Sequence, residues 1–164
     1  MSHVVEFLTV NVAVTSLDVT LPIYRALGLT DLEPSVMPEL PIAMTDITLD
    51  VPGGTGISLI SPHEAGLGPV GRFLDKRGEG VYSIALRVDD IEATMEDWAK
   101  LGLRWAVPEP IEIPGGRAAR YVADRALLNW ALPKELGGVL LEVVELRGEV
   151  RVDQRLTRAE AVRS

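Results

Sequence analysis

The chain has 164 residues, of which 47% are hydrophobic, and its formal charge at pH 7 is -8. A chain of this length forms one domain with a sizeable core, and its acidic balance argues against nucleic acid or an anionic membrane as a partner, because both select clustered lysine and arginine. The absence of cysteine excludes disulfides, thiolate metal sites and a thiol nucleophile. The opening MSHVVEFLTVNVAV lacks a signal-peptide pattern and no segment is apolar enough to span a bilayer, so we expect a soluble cytoplasmic protein.

The first half of the chain predicts a strand, a helix and three further strands. Alternating apolar residues predict these strands near 4–14, 31–37, 43–51 and 56–61. The helix is expected over 17–27, with Pro22 in its first turn or at a kink. Glycines bracket the segment 67–77, which we predict to be a short connecting helix.

The second half predicts the same order of elements. Its strands are expected near 81–88, 104–111, 117–131 and 138–146. Apolar residues at helical spacing predict the helix over 90–101. The residues from Arg147 onward are charged and short of large apolar side chains, so we expect a loose helix or a disordered tail there.

The two halves are also related in sequence. A shift of 74 residues aligns Thr9–Leu29 with Ser83–Leu103 without a gap, and five of the 21 aligned positions are identical. A shift of 84 residues aligns Gly53–Ile60 with Gly137–Val144, so the second copy contains about ten extra residues, which we place in an extended hairpin over 115–133. A duplicated module is the simplest interpretation.

The duplication defines the expected domain organisation. We predict one domain over 1–146, built from two βαβββ modules at about 4–62 and 80–146. The helix over 67–77 joins the two modules. Residues 147–164 then form a polar C-terminal tail.

Several segments resemble the vicinal oxygen chelate superfamily. They are YRALGL at the end of the first helix, and GEG followed by IALRVDDIE at the start of the second module. Within that superfamily the chain is most similar to methylmalonyl-CoA epimerases and their glyoxalase and bleomycin-resistance relatives, over roughly residues 5–146. The resemblance implies an α+β fold in which two tandem modules form an open eight-stranded cup, and it implies a homodimer.

The same resemblance implies a divalent metal held by four residues, but most of these ligands are replaced in this chain. The corresponding positions are Thr9, Ser58, Ser83 and Glu142. Hydroxyl groups bind divalent ions poorly, so we expect a metal-free site without a cofactor. The internal repeat pairs the same four positions independently, which predicts that they meet inside the cup. The two histidines, His3 and His63, are expected at exposed positions rather than as ligands.

Glu142 is the main candidate for chemistry. Strand alternation places it on the cup side of an apolar strand, where loss of hydration raises a carboxyl pKa toward the range that suits proton transfer. The alternative is a buried glutamate that the neighbouring hydroxyls satisfy, a polar plug in place of the metal. Glu39 lies in VMPELPI, which is similar to an epimerase loop that carries an acid/base glutamate. The resemblance therefore implies that Glu39 faces Glu142, and the alternative is an exposed loop residue.

The remaining candidates are ligand contacts. Arg120 and Tyr121 lie in the lengthened hairpin and could meet a carboxylate or phosphate, although a plain surface position is the alternative for the arginine. We expect Tyr82, Asn129 and Trp130 to border the mouth of the cup.

Two functions remain open at this point. The first is a metal-independent acid/base enzyme of epimerase, isomerase or lyase type, in which Glu142 moves a proton next to the carbonyl of a small carbonyl or thioester compound. The alternative is a metal-free protein that binds and sequesters a small molecule. A third possibility is a degenerate family member that acts through protein contacts.

Overall fold

Ten strands and three helices form the part of the chain that the computed structural model describes, residues 3–156. The strands are Val4–Ala13 (β1), Thr30–Asp31 (β2), Ser35–Met37 (β3), Met44–Asp50 (β4), Gly56–Pro62 (β5), Gly80–Val88 (β6), Ile111–Glu112 (β7), Arg117–Ala118 (β8), Tyr121–Ala131 (β9) and Leu141–Val152 (β10). The helices are Leu17–Ala26 (α1), Gly68–Arg77 (α2) and Ile91–Lys100 (α3). Short 3₁₀ turns lie at Pro114–Gly116 and Pro133–Glu135. No helix within residues 3–156 has both the length and the apolar character needed to cross a membrane.

All the strands belong to one curled sheet. Its order is β2-β4-β5-β1-β6-β10-β9-β7, with β3 also paired to β4 and β8 also paired to β9. The short strands β2 and β3 share one edge of the sheet, and β7 and β8 share the other, so the sheet has eight strand positions. This confirms the predicted α+β fold with an eight-stranded cup.

The first strands of the two modules meet at the centre of the sheet. β1 and β6 pair in antiparallel fashion, with Asn11 opposite Ser83. β5 runs parallel to β1 on one side, and β10 runs parallel to β6 on the other. This arrangement is the pseudo-twofold relation that a duplicated module predicts, and it directs corresponding positions of the two modules into one cup.

Helices α1 and α3 cover the convex face of the sheet. Leu21 of α1 packs with Ile47, Leu49 and Leu59, which are all buried. The matching cluster under α3 contains Val88, Ile91, Leu127 and Val143, with Trp98 and Trp105 stacked at its border. Side chains alternate between the faces of a strand, so the residues next to these core positions point into the cup. Burial of the two apolar faces by the helices fixes which side chains line the cavity.

Three predicted segments differ from the structure. The single strand predicted over 31–37 is divided into β2 and β3, and residues 32–34 belong to neither. The stretch predicted as a strand over 104–111 contains only a bridge between Trp105 and Ala131 and then β7, because Pro108 and Pro110 cannot donate ladder hydrogen bonds. The tail predicted from Arg147 is instead strand as far as Val152, paired with β9 back to Tyr121. Residues 154–156 then form a short helical turn, and 157–164 lie outside the described residues.

His3 fastens the N-terminal end of β1 to the second module. The prediction that it is exposed is wrong: its ring lies between Asp89 and Asp97, with its Nδ1 3.2 Å from Asp89 Oδ1 and its Nε2 2.9 Å from Asp97 Oδ2. The hydrogen bond to Asp97, and then the interactions with Asp89, raise the pKa of His3 above its usual value. His63 is exposed, as predicted, and its Nε2 lies 3.1 Å from the hydroxyl oxygen of Thr45.

The His3 contacts predict a pH-dependent contribution to stability. Because the folded-state pKa is raised, protonated His3 stabilises the fold below its unfolded-state pKa, and this contribution is lost as the pH rises through the folded-state pKa. We expect the thermal midpoint to fall less between about pH 6 and pH 9 in His3→Gln than in the wild type. His63→Gln, the matched control, should retain the wild-type difference. An identical pH dependence in wild type and His3→Gln would contradict the assignment.

Candidate functional site

A polar cavity lies on the concave face of the sheet, and both modules line it. Its floor is formed by Thr9 and Asn11 of β1, with Ser58 of β5 beside them. Asp46 of β4 and Glu142 of β10 line it from the two sides of this floor. The free space is about 40 Å³. Since one water needs roughly 10–15 Å³ by this measure, the cavity has room for only a few water-sized groups.

Asn11 organises the polar groups of this cavity. Its Oδ1 accepts a hydrogen bond from the Thr9 hydroxyl at 2.7 Å. Its Nδ2 donates to Ser83 Oγ at 2.8 Å and to Glu142 Oε2 at 2.9 Å. The Asn11 amide therefore links three of the four positions that correspond to the family's metal ligands. The fourth, Ser58, hydrogen-bonds the Thr48 hydroxyl at 2.9 Å on the same face.

Burial alters the acidity of Glu142. Desolvation, followed by the negative charge of Asp46, raises its pKa to about 8, and hydrogen bonds from Asn11 and Trp130 lower it only in part. Glu142 is thus mainly protonated at neutral pH. Part of the residue remains exposed, but its carboxyl group lies within the enclosure of the sheet.

Asp46 is a second carboxylate at the same cavity. Its Oδ1 is buried without a hydrogen-bond partner among residues 3–156. Desolvation raises its pKa to about 6, and the Ser58 hydroxyl partly opposes this shift. The two carboxyl groups therefore differ at pH 7: Asp46 is mainly ionised and Glu142 mainly neutral. A pair of acids whose pKa values are separated by their surroundings is a common basis for acid/base chemistry.

Tyr82 and Trp130 lie where the cavity opens. A smaller adjoining space is lined by both aromatic side chains as well as by Ser83, Asp46 and Glu142. Desolvation, and then the charge of Glu142, raise the pKa of Tyr82 to about 12, so its phenol is protonated at neutral pH. Both residues border the site, as the sequence predicts for the mouth of the cup.

Four other predicted site residues lie outside this cavity. Glu39 is exposed in the loop between β3 and β4 and lines none of the cavities described here; the second carboxylate in the cup is Asp46. Arg120 and Tyr121 lie at the hairpin turn, where the Tyr121 hydroxyl donates to Glu6. Asn129 points to the opposite face of β9 from Trp130, and its amide donates to the Val107 carbonyl at 2.9 Å. Strand alternation places Asn129 and Trp130 on opposite faces of β9, and it is Trp130 that lines the cavity.

Two residues of the site, Asn11 and Asp46, are absent from the sequence-based set. The alternation of side chains along each strand predicts that both residues face the cup. Asn11 is two residues after Thr9 and therefore shares its face, and Asp46 is two residues before Thr48, which lies opposite Ser58. The resemblance to the superfamily does not indicate either residue, because neither position corresponds to a metal ligand of that family.

The donor set does not fit a divalent metal. Three of the four positions that carry metal ligands in the resembling family are hydroxyl groups here. In addition, the Asn11 amide directs N–H groups at Glu142 and Ser83, so a cation between these residues would meet hydrogens instead of lone pairs. Transition metals favour imidazole, thiolate or carboxylate ligands, and calcium sites generally use several carboxylates.

A cluster of three acidic residues, Asp90, Glu92 and Glu145, lies outside the cup, and its carboxylates already have ion-pair or hydrogen-bond partners. Arg147 pairs with both Glu92 and Glu145. The backbone N–H of Ile91 donates to Glu145 at 2.8 Å. This cluster fastens α3 to β10 and offers no open metal site.

The curled sheet and its polar cavity define an open cup built from two modules of the same topology. Residues 10–123 match the Glyoxalase/Bleomycin resistance protein/Dioxygenase superfamily. The chain therefore belongs to this superfamily. No curated protein matches the chain significantly.

Solved structures of similar fold include several epimerases. Methylmalonyl-CoA epimerase from Mycobacterium tuberculosis is 28% identical, with a TM-score of 0.76 over 90% of this chain and 92% of that chain. A variant of the Streptomyces coelicolor methylmalonyl-CoA epimerase, in complex with 2-nitronate-propionyl-CoA, is 26% identical, with a TM-score of 0.74 over 88% of this chain and 99% of that chain. A hypothetical protein from Bacillus halodurans is 28% identical, with a TM-score of 0.74 over 89% of this chain and 97% of that chain.

The raised pKa of Glu142 predicts a measurable effect on stability. Between about pH 5 and pH 8 the unfolded chain releases this proton while the folded chain retains it, so the free energy of unfolding falls by up to about 1.4 kcal/mol per pH unit. Denaturant unfolding should show a shallower fall in Glu142→Gln than in the wild type, because the variant has no carboxyl group to titrate. Glu39→Gln, a change at an exposed site, should keep the wild-type slope. Equal slopes in wild type and Glu142→Gln would contradict the shift.

Proposed function

We propose that this protein is an acid/base enzyme of the isomerase or epimerase type. It transfers a proton at the carbon next to the carbonyl of a coenzyme A thioester or a similar small carbonyl compound, and Glu142 is the proton-transfer residue. The single observation that carries this proposal is the pair of desolvated carboxyl groups, Asp46 and Glu142, at one cavity with separated pKa values. The similarity to methylmalonyl-CoA epimerases supports the choice of substrate class.

The pair supplies one base and one acid at neutral pH. Ionised Asp46 removes the proton from the α-carbon, and protonated Glu142 returns a proton to the carbon from its own side of the cavity. Asp46 ends the cycle protonated and Glu142 ionised, which is the state required for the reverse direction. Such a two-base arrangement inverts the α-carbon because β4 and β10 approach the substrate from different sides of β1.

Neutral donors stabilise the enolate oxygen in this mechanism. Both N–H groups of Asn11 are directed at Ser83 and Glu142, so the available donors are the Ser83 hydroxyl, whose own proton is free, and the Tyr82 phenol, which stays protonated with its pKa raised to about 12. Fixed donors in an enclosed site stabilise developing charge without reorganising solvent. These donors stabilise the negative charge on the enolate oxygen in a reaction that we propose to be independent of metal.

The retained carboxylates also favour an enzyme over a simple binding protein. A buried carboxyl group that lacks a cation destabilises the fold, and an apolar residue of similar size avoids that cost. Within residues 3–156 neither Asp46 nor Glu142 forms an ion pair. Chemistry that uses both acids accounts for their presence, whereas sequestration of an apolar ligand does not require them.

Loss of the Glu142 carboxyl group should greatly slow proton transfer. In D₂O, the wild type should exchange the α-proton of methylmalonyl-CoA or of other short acyl-CoA thioesters for deuterium, as mass spectrometry detects. Glu142→Gln should reduce this exchange by about 100-fold or more, because a general acid or base contributes at least that factor. Glu39→Gln is the matched control and should remain within about twofold of wild type, since this residue lies outside the cavity. An absence of exchange in the wild type, or undiminished exchange in Glu142→Gln, would refute the assignment.

Metal independence has its own test. Exchange activity should survive treatment with EDTA and dialysis, and elemental analysis of the active protein should find far less than one equivalent of any divalent metal. Addition of cobalt or magnesium should not increase the rate. Inactivation by EDTA, with recovery on addition of a metal, would contradict the proposal that the reaction is independent of metal.

A further inference from the structure

A row of apolar side chains adjoins the two carboxyl groups inside the cup. Strand pairing places Glu142 of β10 between Trp130 of β9 and Ala85 of β6. Two residues away along the same strand faces, Leu128 and Val144 lie opposite each other, and both are buried. The apolar wall of the cavity is formed by Leu8, Ala85, Ile113, Leu128 and Val144.

The polar floor and this apolar wall belong to one cavity. Its free volume of about 40 Å³ holds only a few water-sized groups. Asp46 and Glu142 line the polar part of this space, and Leu128 and Val144 line the adjoining part. A carbon atom that reacts between the two acids therefore has its short substituent against the apolar wall.

No unpaired cation lines this cavity in the part of the chain that the structure describes. Arg117 is the one cationic side chain of that part in its lining, and its guanidinium pairs with Asp153, which is buried. Rotation of Arg117 toward a ligand would leave the Asp153 carboxylate enclosed without a cation, at a large cost. Arg87, on the neighbouring part of the same sheet face, lies 3.6 Å from Glu6 and 5.3 Å from the centre of the Tyr121 ring.

The acids of the cavity act against a second negative charge. Asp46 is mainly ionised at neutral pH, and Glu33, which also lines the cavity, has its carboxylate 2.8 Å from Arg155. A substrate carboxylate in this space would lose its hydration beside Asp46 without gaining a cation. Arg72 is exposed on α2, at the surface beyond Tyr82, and does not line this cavity.

We propose that the substrates are thioesters whose α-carbon carries neutral alkyl groups, such as α-methyl-branched acyl thioesters, and that malonyl-type thioesters are excluded. The alkyl branch lies against Leu128 and Val144. Asp46 takes the proton of the α C–H bond, whose electron pair forms the enolate, and Glu142 returns a proton to the opposite face. The α-carbon is inverted and no other bond changes.

This inference rests on the proposed function for its chemistry, but the preference itself follows from the apolar wall and the charges of the cavity. It also separates this chain from its structural neighbours. Those proteins are named for methylmalonyl-CoA, a thioester whose α-carbon carries a carboxylate.

Two thioesters that differ only at the α-carbon test the preference. Isobutyryl-CoA has a methyl group where methylmalonyl-CoA has its carboxylate. Isothermal titration of the wild type at neutral pH should show that isobutyryl-CoA binds more tightly by about tenfold or more, because like charges in an enclosed site oppose each other without compensation. Deuterium exchange at the α-carbon should favour the same thioester. A smaller preference in binding, or the reverse one, would overturn the inference.

Release of Arg117 should weaken the preference. Asp153→Asn removes the carboxylate that pairs with Arg117 but keeps an oxygen to accept the backbone N–H of Arg155. The guanidinium is then available to a substrate carboxylate, so the preference for isobutyryl-CoA should fall by about fivefold or more. Glu149→Gln is the matched control: it releases Arg151, which also lies on β10 but does not line the cavity, and the preference should persist.

Asp46→Asn tests the same point at a second position, because it removes the opposing charge itself. The difference in affinity between the two thioesters should narrow in this variant. Circular dichroism establishes that each variant is folded. An unchanged preference in either folded variant, or an equal loss in Glu149→Gln, would overturn the inference.

The outcomes separate this inference from the proposed function. If isobutyryl-CoA binds preferentially and the preference responds to these charges, but neither thioester exchanges its α-proton, the substrate preference stands and the proposed catalytic role fails. If methylmalonyl-CoA binds more tightly and exchanges its α-proton through Glu142, the proposed function stands and this inference fails.

Discussion

The enclosed carboxyl group of Glu142 is the constraint on which the properties of the site depend. A carboxyl group removed from water must either find a cation or remain protonated, and no cation pairs with Glu142 within residues 3–156. The nearby charge of Asp46 acts in the same direction as desolvation. The Asn11 amide stabilises the ionised form by hydrogen bonding, but not enough to reverse the shift. The result is a neutral acid beside an ionised one, held in a cavity too small for bulk solvent.

The duplicated fold provides this enclosure. Antiparallel pairing of β1 with β6 places the first strands of both modules at the floor of the cup. The two acids lie on either side of this pair, Asp46 on β4 beyond β5 and Glu142 on β10 next to β6. Helices α1 and α3 bury the apolar residues on the convex face. Strand alternation then leaves the polar residues to the concave face, where the curl of the sheet removes them from water. The same apolar packing that stabilises the fold therefore also generates the altered acidity of the site.

Much of the architecture was predictable from the sequence, because the repeat and the alternation are local patterns. The resemblance supplied the four family positions and the repeat pairs them. In the structure Asn11 links three of them, whereas Ser58 bonds Thr48. The resemblance to the family does not predict Asn11 or Asp46, because it concerns only the metal-ligand positions. The alternation of side chains along the strands does place both residues on the concave face. The extension of β10 to Val152 could not be read from its charged sequence, since that extension depends on pairing with the distant strand β9. Arg120 and Tyr121 were misplaced for a similar reason: the hairpin turns at Ala119, whose positive φ of 52° has no sequence signal.

The central claim is that Glu142 is protonated at neutral pH in the folded wild-type protein. Carbon-13 NMR of the glutamate carboxyl groups, with the Glu142 resonance assigned by its absence from the Glu142→Gln spectrum, measures this directly as the pH is varied. The account predicts a titration midpoint near 8. A midpoint near the ordinary value of 4.5 would contradict it, because the two acids would then both be ionised and the site would have no proton donor.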